Sequence, residues 1–339
     1  MLRNTIITEN ILTEVKVSLG QGLTQSEIML RANCVRKWYF RYVRMFKKKG
    51  SFSWALLFGH AMHQMLDRYY KDQYAKECQI PAFEFEDDVI LRPDQTDDHR
   101  YWQMLLEVMF DRYIKYWDSE DAKMVVEATE QEVEYNYEGF RLRGKLDMVF
   151  RPSKKDGIFI LDHKTTYDIN ESLVLGWQFR FQFLFYAWLY WKISKQYPAG
   201  VYVNALKKPL ERRSVKKQES VEEFIKRIEL NMQIEPEKYF KRFRLPIDKS
   251  TLARFEKYTL KPLLFGFKTV SGLSQLTPRE FEEQQISDDD INAQFLTANT
   301  DHCHVYNKPC EFLELCQNNF DDFANEYIAM PFKHAELTK

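Results

Sequence analysis

The chain has 339 residues, of which 45% are hydrophobic and 29% charged, and its formal net charge is −1. This composition excludes an intrinsically disordered chain, and the charge balance excludes a uniformly basic polyanion-binding surface. The amino terminus lacks a basic and apolar leader, and Arg180 interrupts the most apolar stretch, 174–193, near its centre. We therefore expect a cytoplasmic chain that neither is secreted nor crosses a membrane.

Three helices are predicted in the first third of the chain, over 24–46, 53–74 and 101–117. Thr24, followed three residues later by Glu27, is a candidate capping box at the start of the first helix. The first helix is basic and aromatic, and the third has a continuous apolar side typical of a core helix. The residues of the first two helices that could carry chemistry are Cys34, His60 and His63.

A β-hairpin is predicted from Leu142 to Thr166, because apolar residues alternate over 142–150 and β-branched residues follow over 158–166. Side chains two apart on a strand share a face, so Asp162 and Lys164 point the same way. Asp147 can lie beside them if the strand register allows. Acids in a core strand are costly, and they are explained if a divalent cation such as Mg²⁺ binds there.

A long aromatic helix is predicted over 169–195, where Gln178, Gln182 and Tyr186 fall at steps of four and form one polar stripe. A strand over 201–206 and helices over 221–239 and 250–267 follow. Two basic runs, 31–49 and 207–217, are candidate nucleic-acid-binding segments. The chain contains no G-x-x-x-x-G-K-[ST] loop, so we expect no ATP binding.

The chain has five cysteines, and three of them lie within fourteen residues near the carboxyl end: Cys303, Cys310 and Cys316. In a cytoplasmic chain such clustering favours a metal over disulfides. Four thiolates hold either a tetrahedral Zn²⁺ or a [4Fe–4S] cluster. Cys34 can supply the fourth ligand and Cys78 is the spare, while His302 and His304 could instead complete a Zn²⁺ site.

Several of these segments resemble one known family. Gly144-Lys145-Leu146-Asp147 followed by Asp162-His163-Lys164 is similar to the G-x-x-D…D-x-K core of the PD-(D/E)XK nucleases in their RecB-like branch. Gly59 followed by His63, and Gln182 followed by Tyr186, resemble further motifs of that branch. One early and three late cysteines resemble its iron–sulfur members, including the Cas-type exonucleases. The resemblance covers 24–318.

The resemblance implies an α/β fold with a restriction-endonuclease-like core. A small mixed β-sheet flanked by helices would carry a helical insertion and a metal-stapled carboxy-terminal region. It implies a single nuclease domain over 24–318, followed by a tail over 319–339. The expected parts of that domain are a cysteine helix (24–46), a helical part (53–120), the nuclease core (125–210) and a helical and cysteine region (220–318).

The resemblance also implies roles for the site residues. His63, Asp147, Asp162 and the backbone carbonyl of His163 would hold Mg²⁺ or Mn²⁺, with His60 as an alternative to His63. Lys164 would position the attacking water. The remaining expected site residues are Gln182 and Tyr186, which would organise the site and contact DNA, and Cys34, Cys303, Cys310 and Cys316, which would hold a [4Fe–4S] cluster or, alternatively, Zn²⁺.

The implied activity is a metal-dependent deoxyribonuclease, expected to be an exonuclease. Such an enzyme would serve DNA end processing, recombination, repair or phage DNA metabolism, with a helicase or recombination protein as a further partner. The alternative is a catalytically inactive DNA-binding or metal-stapled scaffold protein that keeps the same fold.

Overall fold

A computed structural model describes the chain over 2–72, 80–85, 89–92, 95–214, 216–275, 280, 297–305, 308–317, 324–334 and 337. The chain divides into two compact units. The first comprises 1–51, 134–144 and 253–339, and the second 52–133 and 145–252. The expectation of a single domain over 24–318 stays a prediction.

The sheet has six strands in the order β1-β4-β5-β6-β7, with β3 paired to β4. Its pairing is mixed: β4–β5 and β6–β7 are antiparallel, whereas β1–β4 and β5–β6 are parallel. The predicted α/β class, a mixed sheet flanked by helices, is therefore confirmed. The strands are β1 (Leu23–Thr24), β3 (Val125–Tyr137), β4 (Phe140–Arg151), β5 (Phe159–Thr166), β6 (Gly200–Lys207) and β7 (Phe240–Pro246).

The first unit consists mainly of helices and short strands. Thr24 accepts a hydrogen bond from the Glu27 backbone N–H, as its place before the helix predicts. The unit contains α1 (Leu2–Gly20), α2 (Gln25–Asn33), α3 (Val35–Trp38), β2 (Phe46–Lys48), α9 (Lys249–Phe255, of which the last three residues belong to this unit), α10 (Lys261–Leu273), β8 (His304–Val305), β9 (Lys308–Pro309), α11 (Leu313–Gln317) and β10 (Tyr327–Ala329). Strands β2 and β10 pair antiparallel, so part of the expected tail is built into this unit.

The second unit holds the hairpin and the helices around it. These are α4 (Trp54–Lys71), α5 (Thr96–Asp121), α6 (Glu171–Gln178), α7 (Phe181–Ser194) and α8 (Val221–Ile234). Helices α4, α5 and α8 bury their apolar stripes against one face of β4 and β5, where Met148, Phe150, Phe159 and Leu161 are buried. Gly59 lets α4 approach β5 closely, because a Cβ at this position would lie 3.1 Å from Thr165 Oγ1. This close packing brings the next turn of α4, with His63, to the end of the hairpin.

Two predicted helices differ from the structure, and one strand was not predicted. The helix expected over 24–46 breaks at Cys34, whose backbone is extended (φ −160°, ψ 113°). The helix expected over 169–195 breaks at Arg180, which is also extended (φ −67°, ψ 127°), so Gln178 ends α6 while Gln182 and Tyr186 belong to α7. Strand β7, which the sequence interpretation missed, follows α8.

The spare cysteine of the predicted metal site, Cys78, lies outside the described residues. Among the residues that are described, none of the helices combines the length and apolar character needed to cross a membrane.

Candidate active site

The hairpin places two of the predicted acids side by side where β4 and β5 stop pairing. The described pairs run from Phe150–Phe159 to Met148–Leu161, so Asp147 and Asp162 occupy the next position. There the Asp147 carboxylate accepts a hydrogen bond of 2.7 Å from the His163 backbone N–H. The Asp147 side chain thus takes the place of a backbone carbonyl as the partner of the His163 N–H, and carboxylates line this end of the hairpin.

His63 reaches the same place from α4. Its Nε2 lies 3.0 Å from the carbonyl oxygen of His163, and its Nδ1 lies 3.5 Å from Asp147 Oδ2. His60 instead has its Nε2 3.0 Å from the side-chain amide nitrogen of Gln64, one turn along the helix. The geometry therefore favours His63 over His60 as the histidine of this site.

Asp162 and Lys164 extend from the same face of β5, as the two-residue spacing predicts. Lys164 Nζ lies 2.6 Å from Asp162 Oδ2, and the Gln182 amide donates a 3.0 Å hydrogen bond to Asp162 Oδ1. Asp162 is 2% exposed, so both oxygens of a buried carboxylate have cationic or polar neighbours. Tyr186 lies half-buried one turn further along α7, and its ring adjoins that of Phe185.

Burial shapes the protonation of the site. The pKa of Asp147 rises from 3.8 to about 7, first because the carboxylate is desolvated and then because Asp162 is close. The pKa of His63 is lowered by burial and by the positive charge of Lys164. A neutral imidazole keeps a nitrogen lone pair available, which is the form that binds a metal ion.

Glu130, on β3, joins this group although the sequence analysis did not single it out. Among the described residues, three side chains of types that can bind a metal ion have their nitrogen or oxygen atoms within 4.8 Å of one another: His63, Glu130 and Asp147. Lys145 Nζ lies 2.5 Å from Glu130 Oε2. Glu130, Glu132 and Glu134 alternate along β3, so the sequence pattern does not distinguish Glu130 from its neighbours. A left-handed backbone (φ 45°) at Glu130 is not visible in that pattern.

A buried polar row lies behind the site, on the opposite face of β5. His163, Asn204 and Arg242 are register partners on β5, β6 and β7. Asn204 Nδ2 lies 2.7 Å from His163 Nδ1 and donates a 2.9 Å hydrogen bond to the Tyr113 hydroxyl. Arg242 donates to that hydroxyl at 2.8 Å and to Asp121 at 2.6 Å. The row links the His163 ring to a buried ion pair.

The four predicted cluster cysteines all lie in the first unit, and none of them forms a disulfide. The Asn299 backbone N–H lies 3.5 Å from the Cys34 sulfur, and the Asn299 carbonyl oxygen lies 3.9 Å from the Cys303 sulfur. Burial raises the pKa of Cys310 and of Cys316, and the nearby Cys34 raises both pKa values further. These four thiols are neighbours, although their sulfurs are less closely grouped than the ligand atoms around Asp147.

The two basic runs are largely engaged in contacts within their own units. In the first run, Lys48 pairs with Glu314 at 2.6 Å and Arg44 with Glu14 at 3.6 Å. In the second, Lys208 is buried, with its ammonium 4.3 Å from the Tyr167 ring centre. Both runs therefore contribute to the folded units and are not simply free cationic surfaces.

A comparison with protein families agrees with the fold. Residues 22–317 match the family model of the PD-(D/E)XK nuclease superfamily. The match spans most of the chain and includes both acids and the lysine of the hairpin. The chain belongs to the PD-(D/E)XK nuclease superfamily.

Solved structures provide two further likenesses. A candidate exonuclease from Eubacterium rectale has a TM-score of 0.43 at 11% sequence identity, covering 89% of this chain and 96% of that one. The protein SSO0001 has a TM-score of 0.24 at 14% identity, covering 74% and 88% of the two chains. The search of curated proteins finds no match.

Proposed function

We propose that this chain is a divalent-cation-dependent deoxyribonuclease that degrades DNA from its ends, and that it belongs to the RecB-like branch of its superfamily. One observation carries the proposal: one end of the hairpin within a PD-(D/E)XK chain brings together side chains from α4, β4 and β5, namely His63, Asp147, Asp162 and Lys164. A scaffold protein without activity would not need a lysine held beside a desolvated acid.

The donor set fits Mg²⁺ or Mn²⁺, which prefer carboxylate and carbonyl oxygens. His63, Asp147, Asp162 and the backbone carbonyl of His163 would hold the ion. When bound, such an ion supplies Lewis acidity to the phosphate and lowers the pKa of a coordinated water.

The other residues have roles that follow from their contacts. The Lys164 ammonium, at 2.6 Å from Asp162, would orient the attacking water and stabilise the negative charge that develops on the phosphate. Gln182 holds Asp162 in one orientation through its amide hydrogen bond. Tyr186, on the same helix face, would contact the DNA strand.

The test uses end-labelled linear duplex DNA, single-stranded DNA and covalently closed circles, each with Mg²⁺, Mn²⁺ or chelator. We expect cation-dependent release of nucleotides from linear DNA and no cleavage of circles. Lys164→Ala should lower the rate by about 10²-fold or more. The matched control is Lys154→Ala, an exposed lysine in the hairpin turn. If wild type does not cleave DNA, or if wild type and Lys164→Ala cleave at equal rates, the proposed nuclease activity is refuted. Cleavage of covalently closed circles would refute the proposal that the enzyme requires a DNA end.

We further propose that Cys34, Cys303, Cys310 and Cys316 hold a [4Fe–4S] cluster, with Zn²⁺ as the alternative. Their shared location and free thiols support a tetrathiolate site. Anaerobically purified protein should absorb in the visible range and contain about four irons per chain. Cys34→Ser should lose most of that iron. If the protein contains stoichiometric zinc and no iron, the site binds Zn²⁺ and not a [4Fe–4S] cluster. If it contains no zinc and no iron, the proposed metal site is refuted.

The biological setting follows from the same proposal. A chain without its own motor would trim or degrade DNA ends in the cytoplasm, during recombination, repair or phage DNA metabolism, together with a helicase or recombination protein. Co-purification of such a partner from the native host, tested with and without nuclease treatment, distinguishes a protein contact from shared binding to DNA.

A further inference from the structure

Helix α6 and the turn that follows it border a cavity that has no role in the proposed reaction. Its volume is about 460 Å³, and six residues line it: Asn170, Ser172, Leu173, Gly176, Trp177 and Arg180. We propose that this cavity binds one unpaired nucleobase of the DNA strand that is cleaved, with Phe179 stacked on a neighbouring base. The inference rests on the proposed function and deepens it, because it names a single-stranded DNA segment as the substrate.

The sheet places the cavity on the same face as Asp162. Asp162, Val203 and Phe243 are register partners on β5, β6 and β7, so their side chains leave the sheet on one face. The Trp177 ring packs against the Phe243 ring, with 5.6 Å between the ring centres. Neighbouring strands are about 4.8 Å apart, so Phe243 lies roughly 10 Å from Asp162. Because a stacked DNA strand advances about 3.4 Å per nucleotide, a strand bound at Asp162 can place a base in the cavity within about three nucleotides of the cut.

The break between α6 and α7 joins the cavity to the active site along the chain. Arg180, which lines the cavity, lies at this break. Two residues later, the Gln182 amide donates its 3.0 Å hydrogen bond to Asp162 Oδ1. The Arg180 side chain is exposed, and within the described part of the chain no carboxylate pairs with its guanidinium. A guanidinium in this position can bind a phosphate of the DNA backbone through two parallel hydrogen bonds.

Exposed apolar side chains flank the cavity. Leu175 is 61% exposed and Phe179 is 81% exposed, whereas Gln178 does not line the cavity. An aromatic ring next to an arginine is a combination that binds single strands without sequence preference, because every base has a π-face on which the ring can stack. A protein partner fits this surface less well. A stable interface buries about 800 Å² on each partner, and two apolar side chains provide much less.

The lining of the cavity favours a base that is bound without being distinguished from other bases. Trp177 and Leu173 offer an aromatic and an apolar surface, and the volume lies within the range of about 300–1,000 Å³ typical of small-molecule sites. Asn170 is already engaged, since its Oδ1 accepts a hydrogen bond from the Leu173 N–H and its Nδ2 donates one to Asp168. Few polar groups therefore remain to read a base edge. A base within a duplex is stacked and paired, so the occupant is an unpaired base.

The test measures how labelled oligothymidylate, and a blunt duplex of the same length, bind to the full chain in chelator, by fluorescence anisotropy. Gly176→Leu should fill the cavity, because a Cβ at Gly176 meets no atom within 4 Å. Phe179→Ala removes the stacking ring. Each variant should bind oligothymidylate about tenfold more weakly or worse, while duplex affinity changes by less than about twofold. The matched controls on α10 are Gly272→Leu, with equally open surroundings, and Phe265→Ala, at a ring that is 69% exposed, and both should bind like wild type.

Far-ultraviolet circular dichroism verifies that each variant is folded. Unchanged oligothymidylate affinity in Gly176→Leu and Phe179→Ala, or equal losses for oligothymidylate and duplex, would overturn the base site. If these variants keep their DNA affinity and instead lose a protein that co-purifies with wild type, the surface docks a protein and the proposal is also overturned.

The base site and the proposed nuclease can fail separately, because binding is measured without a cation. If wild type cleaves DNA and the two variants bind oligothymidylate like wild type, only the base site is wrong. If the variants lose oligothymidylate binding but wild type cleaves no DNA with Mg²⁺ or Mn²⁺, the base site stands and the nuclease activity is refuted.

Discussion

Replacing Asp147 by Asn should stabilise the protein when cations are absent and the pH is above 7. Burial and the neighbouring Asp162 raise the pKa of Asp147 from 3.8 to about 7, so ionisation of this carboxylate opposes folding. At roughly 1.4 kcal/mol for each tenfold change in proton affinity, the cost is on the order of 4 kcal/mol once the group is ionised. Asn avoids that cost, and its side-chain oxygen can still accept the hydrogen bond from the His163 N–H.

The pH dependence has a definite sign. Because folding raises this pKa, wild type gains stability as the pH falls through 7, and the gain is complete below about 4. The difference in the free energy of unfolding between Asp147→Asn and wild type should therefore fall to less than half of its pH 8 value at pH 5. Urea unfolding in the presence of chelator measures both free energies. The control for the replacement of an acid by its amide is Asp156→Asn, at an exposed position in the hairpin turn.

A divalent cation should reverse the order. Under the proposed function, Mg²⁺ or Mn²⁺ should bind the folded site and stabilise wild type by RT ln(1 + [L]/Kd), whereas Asp147→Asn should bind the ion weakly. The reasoning is refuted if Asp147→Asn is no more stable than wild type at pH 8 in chelator, or if the difference is independent of pH.

Three other predictions concern the surroundings of the site. Gln182→Ala should lower nuclease activity by roughly 10- to 100-fold, because it removes the hydrogen bond that orients Asp162. Gln178→Ala, on the exposed side of α6, should have no effect on the rate. Equal losses of activity in the two variants would contradict this prediction. Arg242→Met should cost about 3–5 kcal/mol in urea unfolding, because it leaves the buried Asp121 charge unpaired, and the double variant with Asp121→Asn should recover much of the loss. The control is Lys115→Met, which breaks the exposed ion pair with Asp111 and should lower the free energy of unfolding by less than about 1 kcal/mol. A similarly small loss for Arg242→Met would contradict the prediction that the buried polar row stabilises the fold. Ser220→Ala should cost about 1 kcal/mol in the same measurement, because Ser220 and Glu223 form a capping box at the start of α8, and an unchanged midpoint would argue against it.

The hairpin could be predicted because its information is local. Alternation of apolar residues identifies both strands, and the spacing of Asp162 and Lys164 determines that they share a face. His63 could be placed only through the order of family motifs, since a histidine on an amphipathic helix is not distinctive alone. Other features depend on packing that no local pattern contains. Aromatic and apolar residues lie on both sides of Arg180, so the sequence pattern does not indicate that a helix ends there. It does not indicate the left-handed backbone of Glu130 either.

The polar row behind the site has a consequence for how the hairpin tolerates change. If β5 slipped by one residue, Asp162 and Lys164 would turn into the apolar core and His163 would turn toward the substrate. Apolar side chains on that strand resist such slippage only weakly, because one aliphatic contact can replace another. The hydrogen bonds that join His163 to Asn204, and both Asn204 and Arg242 to the Tyr113 hydroxyl, can form in one alignment alone. The chemistry on one face of the strand can therefore vary over evolution, or be redesigned, while the opposite face keeps the alignment.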